Sequence, residues 1–367
     1  MNILNIMWAA GPAFASVHKV HQQILSQAET DTVVKTWLLQ GAATGCVANV
    51  GECREWNLSS SRLKAKHFWR LVQPWMRMRF HRALQASGAR VLLIDGIGVA
   101  RVMLPVLKSL SQLRVVVVIH GATRLHQSDQ ALFQQFPASQ LTLAAVSQTL
   151  AASLERDLQK PVITLRTAFD PQAFSARLLP RDQARASLGL PVDDAPVLGA
   201  IGRLVADKGF ACLLEAFAKM LDSRPNLRLV IVGEGQARPE LEARIKQLGL
   251  GDKVMLPGHL KHAATLFKAF DWVAIPSLEE GLGLTLQEAV MSGVPVLTSD
   301  LPVFREQLAD TGRYAPVNDV DAWREAIFQA FNLPAQEVAA DQYAALAPDQ
   351  AWQRFSQTAA TLLSCRN

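Results

Sequence analysis

The chain reads as an α/β protein of two Rossmann-like halves, each a doubly wound parallel sheet, facing a cleft. Three observations carry that expectation. Its 367 residues exceed one ordinary core, and roughly 100–200 residues per domain gives two domains. Apolar runs such as Val91–Ile94 and Val115–Ile119 are continuous rather than alternating, which marks strands buried on both faces. These runs alternate with helical patterns, the order that crossover connections of a parallel sheet require.

Ile3–Trp8 reads as a first buried strand, because MNILNIMWAAG lacks the basic start, long apolar stretch and cleavage site of an export signal. A loop at Gly11-Pro12 leads to a helix from about Val17 to Ala28 and a strand from Val33 to Leu39. A basic helical region precedes strand Val91–Asp95, which ends at a glycine-rich turn. Val115–Ile119 ends in His120-Gly121, and strand Leu143–Val146 precedes Ser147, the cap of the next helix. Between Pro161 and Pro196 the pattern loosens into a connection containing one charged helix, Asp182–Leu188. The second series begins with strand Val197–Ile201 and helix Phe210–Asp222. Strand Leu227–Val232, helix Glu240–Leu248, and strands Val254–Leu256 and Asp271–Ile275 follow, then Pro295–Thr298 and a helical end. The expected domains are 1–175 and 176–349.

Hydrophobic residues make up 50% and charged residues 19%, ordinary for a soluble globular protein, and the expected location is the cytoplasm. No apolar run approaches the roughly 18 residues of a membrane span. Cys46, Cys53, Cys212 and Cys365 lack C-x-x-C spacing. Cys46 and Cys53 are close enough to pair, but without an export signal free thiols are the expectation. The pairs His18/His21 and His259/His262 lack cysteine or carboxylate partners at ligand spacing, so they read as surface residues, and no metal site is expected. Asp319 and Asp321 read as a solvated late loop.

The net charge of +5 is unevenly spread. Residues 1–180 hold 19 Lys+Arg against 9 Asp+Glu, and the remainder 18 against 23. Much of the excess lies in Arg62–Arg82, RLKAKHFWRLVQPWMRMRFHR, which has no acidic residue. Phe68, Trp69, Trp75 and Phe80 interleave there with Lys64, Lys66, Arg70, Arg77 and Arg79. Such a stretch suits an anionic membrane surface or an anionic glycolipid. The alternative is a solvated helix with its aromatics in the core. No recognised nucleic-acid motif accompanies the charge, so no nucleic acid partner is expected.

The most informative stretch is PSLEEGLGLTLQEAVMSGVPVLTSD, from Pro276 to Asp300. An apolar strand runs into an acidic pair, then Gly281 and Gly283, then a helical pattern. Glycines at a strand-to-helix turn let backbone approach a ligand, and a helix start offers unpaired N–H groups to an anion. Glu288 lies about two turns into that helix, by roughly 3.6 residues per turn, on the side of the turn. Glu280 and Glu288, embedded in this context, resemble the E-x7-E signature of retaining glycosyltransferase family 4, which has the GT-B fold. Enzymes of lipopolysaccharide core assembly are the members that fit the basic first half.

The resemblance implies that Glu280 sits beside the donor sugar, that Glu288 binds ribose, and that the amides of Leu282, Gly283 and Leu284 meet phosphate. GRLVADKG resembles the family's G-R-x-x-x-x-K-G element, which makes Arg203 and Lys208 the diphosphate contacts. Fixed cations with a helix N-terminus stabilise a departing diphosphate without metal. His120, ending a buried strand, is implied to lie near the transferred sugar. Gly258 and His259 match where the family holds the base. Gly11 matches the position where a backbone amide approaches phosphate, although Pro12 there lacks an N–H. Asp170 and Phe174 remain from the N-G-x-D turn as structural residues. The GT-B fold also implies that a last helix of about 350–367, apolar at Trp352, Phe355, Leu362 and Leu363, packs back on the first domain.

The implied reaction is metal-independent, retaining transfer from a nucleotide-diphosphate donor to a lipid-linked or cell-surface polysaccharide acceptor at the cytoplasmic membrane face. A UDP-sugar is the first choice of donor, with GDP and ADP as alternatives, and no further cofactor is expected. The rival readings are a nucleotide-sugar 2-epimerase, a soluble disaccharide-type transferase and a noncatalytic nucleotide-sugar-binding protein.

Overall fold

The structure, a computed structural model, describes residues 1–9, 14–41, 51–63, 71–121, 125–191 and 193–364. Gly11, Cys46, Cys365 and the 64–70 part of the basic stretch lie outside the described residues. Two compact units are present, Met1–Thr167 with Gln353–Asn367, and Ala168–Trp352. The division falls earlier than position 175/176 for a local reason. The carboxylate of Asp170 caps the short helix Pro171–Ser175, accepting from the amides of Gln172 and Ala173. That helix packs against helix Leu284–Met291 of the second unit.

The first unit contains strands β1 (Asn2–Ala9), β2 (Val33–Gln40), β3 (Glu52–Glu55), β4 (Val91–Asp95), β5 (Arg114–Ile119), β6 (Leu141–Ala145) and β7 (Val162–Thr164). They form one parallel sheet in the order β3-β2-β1-β4-β5-β6-β7. The second unit contains β8 (Val197–Ile201), β9 (Arg228–Val232), β10 (Val254–Gly258), β11 (Trp272–Ile275), β12 (Val296–Ser299) and β13 (Arg313–Ala315). Its parallel order is β10-β9-β8-β11-β12-β13. Strands β3, β7 and β13 escaped the sequence reading. Each is short, and Glu52-Cys53-Arg54-Glu55 is mostly exposed at a sheet edge, without the apolar signature of a central strand.

The continuous apolar runs are explained by two-sided burial. In β9, Leu229 and Ile231 enter one core while Val230 and Val232 enter another on the opposite face. Each sheet starts at its middle strand, winds outward to one side, and then reverses. The reversal lies between β1 and β4 in the first unit and between β8 and β11 in the second. Ligands of doubly wound sheets collect beyond the carboxyl ends of the strands at such a point.

Ser147 caps its helix by accepting from the Leu150 amide at 3.3 Å. Asp319, exposed at the end of its loop, also caps the next helix, accepting from the Ala322 amide at 2.9 Å, and exposed Asp321 inside that helix pairs with Lys219 at 2.6 Å. In the last helix, Pro348–Leu363, Phe355, Ala359, Leu362 and Leu363 are buried. Its carboxyl-terminal part belongs to the first unit, where Arg114 donates to the Ser364 carbonyl. Cys53 and Cys212 are free thiols, and burial pushes the Cys212 thiol up to about 11. Among the described residues no helix is long and apolar enough to cross a membrane.

The basic stretch divides its aromatics between the two readings. Helix Gln73–Ser87 buries Met76, Phe80 and Leu84, one apolar stripe at i, i+4 and i+8. Phe80 packs 4.4 Å from the Trp56 ring, centroid to centroid. On the exposed side Leu71 is 83% and Trp75 59% accessible, with Val72 and Met78 also exposed. The Arg79 guanidinium lies over Trp56 and Trp75, at 5.1 and 5.8 Å.

Candidate active site

In the second unit Lys208, one of the two predicted diphosphate cations, meets the first signature glutamate at the β8/β11 reversal. Lys208 follows β8, Glu280 follows β11, and the Lys208 ammonium donates to Glu280 Oε1. Ser277 Oγ donates to the same oxygen at 3.0 Å. The lysine and glutamate side chains are 19% and 17% exposed, so water screens the pair only in part. The backbones of the two loops are also joined, because the Leu278 amide donates to the Asp207 carbonyl at 2.8 Å. Gly209, left-handed at φ +67°, allows this approach: a Cβ there would lie 2.0 Å from the Pro276 carbonyl oxygen. Arg203 is exposed two residues past β8, beside buried Leu204, whose amide donates to the Glu234 carbonyl at 2.9 Å.

Helix Leu284–Met291 begins at Gly283, left-handed at φ +79°. The Leu286 amide donates to the Gly283 carbonyl at 3.0 Å, and the amides before it are those that a helix start leaves without an intrahelical acceptor. Thr285 Oγ1 donates to the Ile201 carbonyl at 3.4 Å and fixes that start against the end of β8. From behind, Gln307 Nε2 donates to the Leu282 carbonyl at 2.6 Å. Glu288 lies in the same helix and is 9% exposed. Gly258 ends β10 at φ +84°, and its carbonyl accepts from the Gly233 amide at 3.0 Å. His259 follows and is exposed. Gly233 and Gly235 are tight for steric reasons, since a Cβ on them would lie 1.8 and 2.2 Å from the carbonyl oxygens of Gly202 and Leu204. Arg203, Lys208, Gly258, His259, Glu280, Leu282, Gly283 and Leu284 thus all lie at the carboxyl edge of one sheet.

In the first unit, His120 sits at the end of β5 within a buried polar cluster. Its Nε2 is 3.2 Å from His21 Nε2 and 3.8 Å from Asp95 Oδ1. His21 Nδ1 lies 2.7 Å from Asn5 Oδ1, and Asp95 Oδ2 accepts from the Trp8 amide at 3.1 Å. His18 and His21 are therefore not surface residues. They share a helical face with Val20, Ile24 and Leu25, and both are buried. That i, i+3, i+4 pattern was the available signal for them, and a carboxylate ending the apolar run Val91–Ile94 was the signal for Asp95.

Burial lowers the basicity of the cluster's imidazoles. His120 falls to about 3, first by desolvation and then by His18. His21 is held well below 6.5 by burial, His120 and His18. Burial raises Asp95 to about 6 against the pull of the Trp8 amide. The imidazoles are accordingly neutral at pH 7, and the His120–Asp95 contact is not an ion pair. Among the described residues His21, Asp95 and His120 are the group that could hold a metal, with ligand atoms within 4.8 Å of one another. The arrangement fits a shared proton better. The 3.2 Å separation is a hydrogen-bond distance, and buried His120 Nδ1 has, among the described residues, no acceptor of the kind that a metal-bound imidazole normally finds for its other N–H.

The chain is 34% identical over 195 residues to a D-inositol 3-phosphate glycosyltransferase of Mycolicibacterium paratuberculosis, covering 51% of this chain and 43% of the relative. It is 27% identical over 263 residues to an alpha-D-kanosaminyltransferase of Streptomyces kanamyceticus, covering 66% and 68%. The chain spans less than half the length of the first relatives it matches. Anabaena HepE, solved with UDP and glucose, superposes with a TM-score of 0.76 at 18% identity, covering 98% and 97%. WaaG, a glycosyltransferase involved in lipopolysaccharide biosynthesis, gives 0.74 at 17%, covering 99% and 100%. These likenesses establish the GT-B architecture of two parallel-sheet α/β units. Residues 181–346, which carry Arg203, Lys208, Glu280 and Glu288, match the family Glycosyl transferases group 1.

Proposed function

We propose that the chain is a retaining, metal-independent glycosyltransferase. It moves a sugar from a nucleoside-diphosphate donor, a UDP-sugar first, to a lipid-linked or cell-surface polysaccharide acceptor, with lipopolysaccharide core as the acceptor class. The observation that carries the reading is the meeting of Lys208 and Glu280 at the β8/β11 reversal, beside the open helix start at Gly283. A cation and free amides at one strand edge suit a diphosphate, and a carboxylate in contact with that cation suits sugar hydroxyls.

Arg203, Lys208 and the amides of Leu282, Gly283 and Leu284 bind the diphosphate, Glu288 binds ribose hydroxyls, and the backbone at Gly258 and His259 receives the base. Glu280 orients the sugar and supports positive charge near its anomeric carbon. As the bond from anomeric carbon to phosphate oxygen breaks, the electron pair leaves with the diphosphate. The acceptor hydroxyl attacks on the same face and its proton passes to the departing phosphate oxygen, so the anomeric configuration is kept. His120 retains the place near the sugar that the sequence resemblance gives it, as a neutral hydrogen-bonding ring. Peripheral association with an anionic membrane face is assigned to the exposed Leu71, Trp75 and Met78 with Arg77 and Arg79.

The test begins with thermal shifts from UDP, GDP, ADP and their sugar conjugates. Labelled transfer from the stabilising donor to glycolipid acceptors follows, with Glu280→Gln as the probe. The variant is expected to keep the nucleotide-induced shift and lose transfer. Turnover at the wild-type rate in Glu280→Gln refutes the assignment, and isomerised donor without acceptor favours the epimerase.

A further inference from the structure

Gln307 lies on helix Pro302–Leu308, 3% exposed. Its Nε2 donates to the carbonyls of Leu282 and Val303 at 2.6 and 3.2 Å. Its Oε1 accepts from Nε2 of Gln287, also 3% exposed, at 3.0 Å. This pattern fixes the orientation of the Gln307 amide. Exchanging its oxygen and nitrogen would turn an acceptor toward two carbonyls and a donor toward another donor.

A trans peptide plane carries its C=O and the following N–H on opposite sides. Drawing the Leu282 carbonyl inward to Gln307 therefore points the Gly283 N–H away from helix Pro302–Leu308. The same helix sets the turn's depth, because a Cβ on Gly283 would lie 2.5 Å from the Phe304 ring. Orientation and depth of the turn are thus both set from the buried face of one helix, by Gln307 and Phe304.

We propose that Gln307, braced by Gln287, is a positioning residue for donor binding: it aims the Gly283 amide at the donor diphosphate. This inference rests on reading the Glu280–Leu284 turn as the phosphate site. Without the clamp the peptide plane is free to rotate, and the loss should fall on phosphate recognition rather than on nucleoside recognition.

Gln342 supplies a matched control. It is fully buried and makes the same kind of paired amide bonds, to the Val296 carbonyl and from the Val296 amide at 3.0 and 2.8 Å, away from the turn. Gln307→Met and Gln342→Met are compared for melting temperature, for donor kcat/KM, and for affinity toward the stabilising nucleoside diphosphate and its unphosphorylated nucleoside. Both variants should melt earlier. Gln307→Met should lose about 10- to 100-fold in kcat/KM and diphosphate affinity, less than or comparable to removal of a whole oxyanion donor, with nucleoside affinity unchanged. Gln342→Met should stay near wild type in all binding and turnover measures. If Gln307→Met folds too poorly to assay, Gln287→Met, which removes only the brace, should show the same selective loss at smaller size. Equal effects of the position-307 (or substitute position-287) and position-342 changes, or wild-type diphosphate affinity in the assayed clamp variant, overturn the clamp. Failure of the wild-type protein to bind any nucleoside diphosphate instead overturns the underlying site reading.

Discussion

Gly209→Ala tests the convergence of the lysine and glutamate loops by steric means, without touching a charged group. At φ +67° an alanine bears the left-handed penalty, about 1–2 kcal/mol. Its Cβ would also lie 2.0 Å from the Pro276 carbonyl oxygen and 3.0 Å from the carbonyl carbon, both backbone atoms that no rotamer can move aside. Relieving the contact requires the Lys208 and Ser277–Glu280 loops to part by on the order of 1 Å. A misplacement of that size can lower catalysis about 100-fold. Gly249→Ala isolates the first effect, because Gly249 has φ +65° yet nothing within 4 Å of the added carbon. Denaturant melts and steady-state kinetics with the stabilising donor should show about 1–2 kcal/mol lost in Gly249→Ala with unchanged kcat/KM. Gly209→Ala should lose about 2–4 kcal/mol and on the order of 100-fold in kcat/KM. Equal kinetics in the two variants would refute the inference that loop contact sets the site.

The remaining expectations concern charge. His120, His21 and His18 have lowered folded-state values, so their stabilising contribution is complete above about pH 6.5 and is lost as pH falls, for His120 through about 3. Asp95, raised to about 6, acts oppositely: its contribution is complete below about 3.8 and is lost as pH rises through about 6. The melting temperature should therefore fall on acidification with partial cancellation between about pH 6 and 4, and His120→Gln should decline less steeply; an equal slope in that variant contradicts the cluster's titration. Treatment with EDTA should leave sugar transfer unchanged, whereas loss restored by added metal would assign the His21–Asp95–His120 group a cation. Binding to anionic vesicles should weaken at high salt and fall in Trp75→Ser; salt-insensitive binding, or none, removes the surface assigned to helix Gln73–Ser87.

The sheets and the second-unit loops were legible because their signals are local. A buried parallel strand writes its two-sided burial as an uninterrupted apolar run, and Gly209 and Gly283 mark turns that no Cβ would fit. The polar core of the first unit was less legible. His21 and His120 are far apart in sequence, and only the pairing of β1, β4 and β5 brings Asn5, Asp95 and His120 into one cluster. Helix periodicity carried a signal for the burial of His21, which the sequence reading nonetheless placed at the surface, and the partner that makes it meaningful is a tertiary fact. Gln287 and Gln307 left no trace for the same reason. A glutamine on an apolar helix face looks like a local flaw until the carbonyl it holds is known. Trp75 and Phe80 show the opposite limit, since their composition announced a basic aromatic helix while only packing decided which ring faced outward.

The most direct measurement is a calorimetric titration of the stabilising nucleoside diphosphate into wild type, Lys208→Ala and Glu280→Gln, paired with transfer assays. Glu280 accepts from the Lys208 ammonium, so the carboxylate competes with a diphosphate for that cation. Neutralising that carboxylate should leave diphosphate affinity equal or stronger while abolishing transfer, and removing the ammonium should weaken affinity. A Glu280→Gln protein that transfers sugar normally, or a Lys208→Ala protein that binds diphosphate as wild type does, would contradict the shared site.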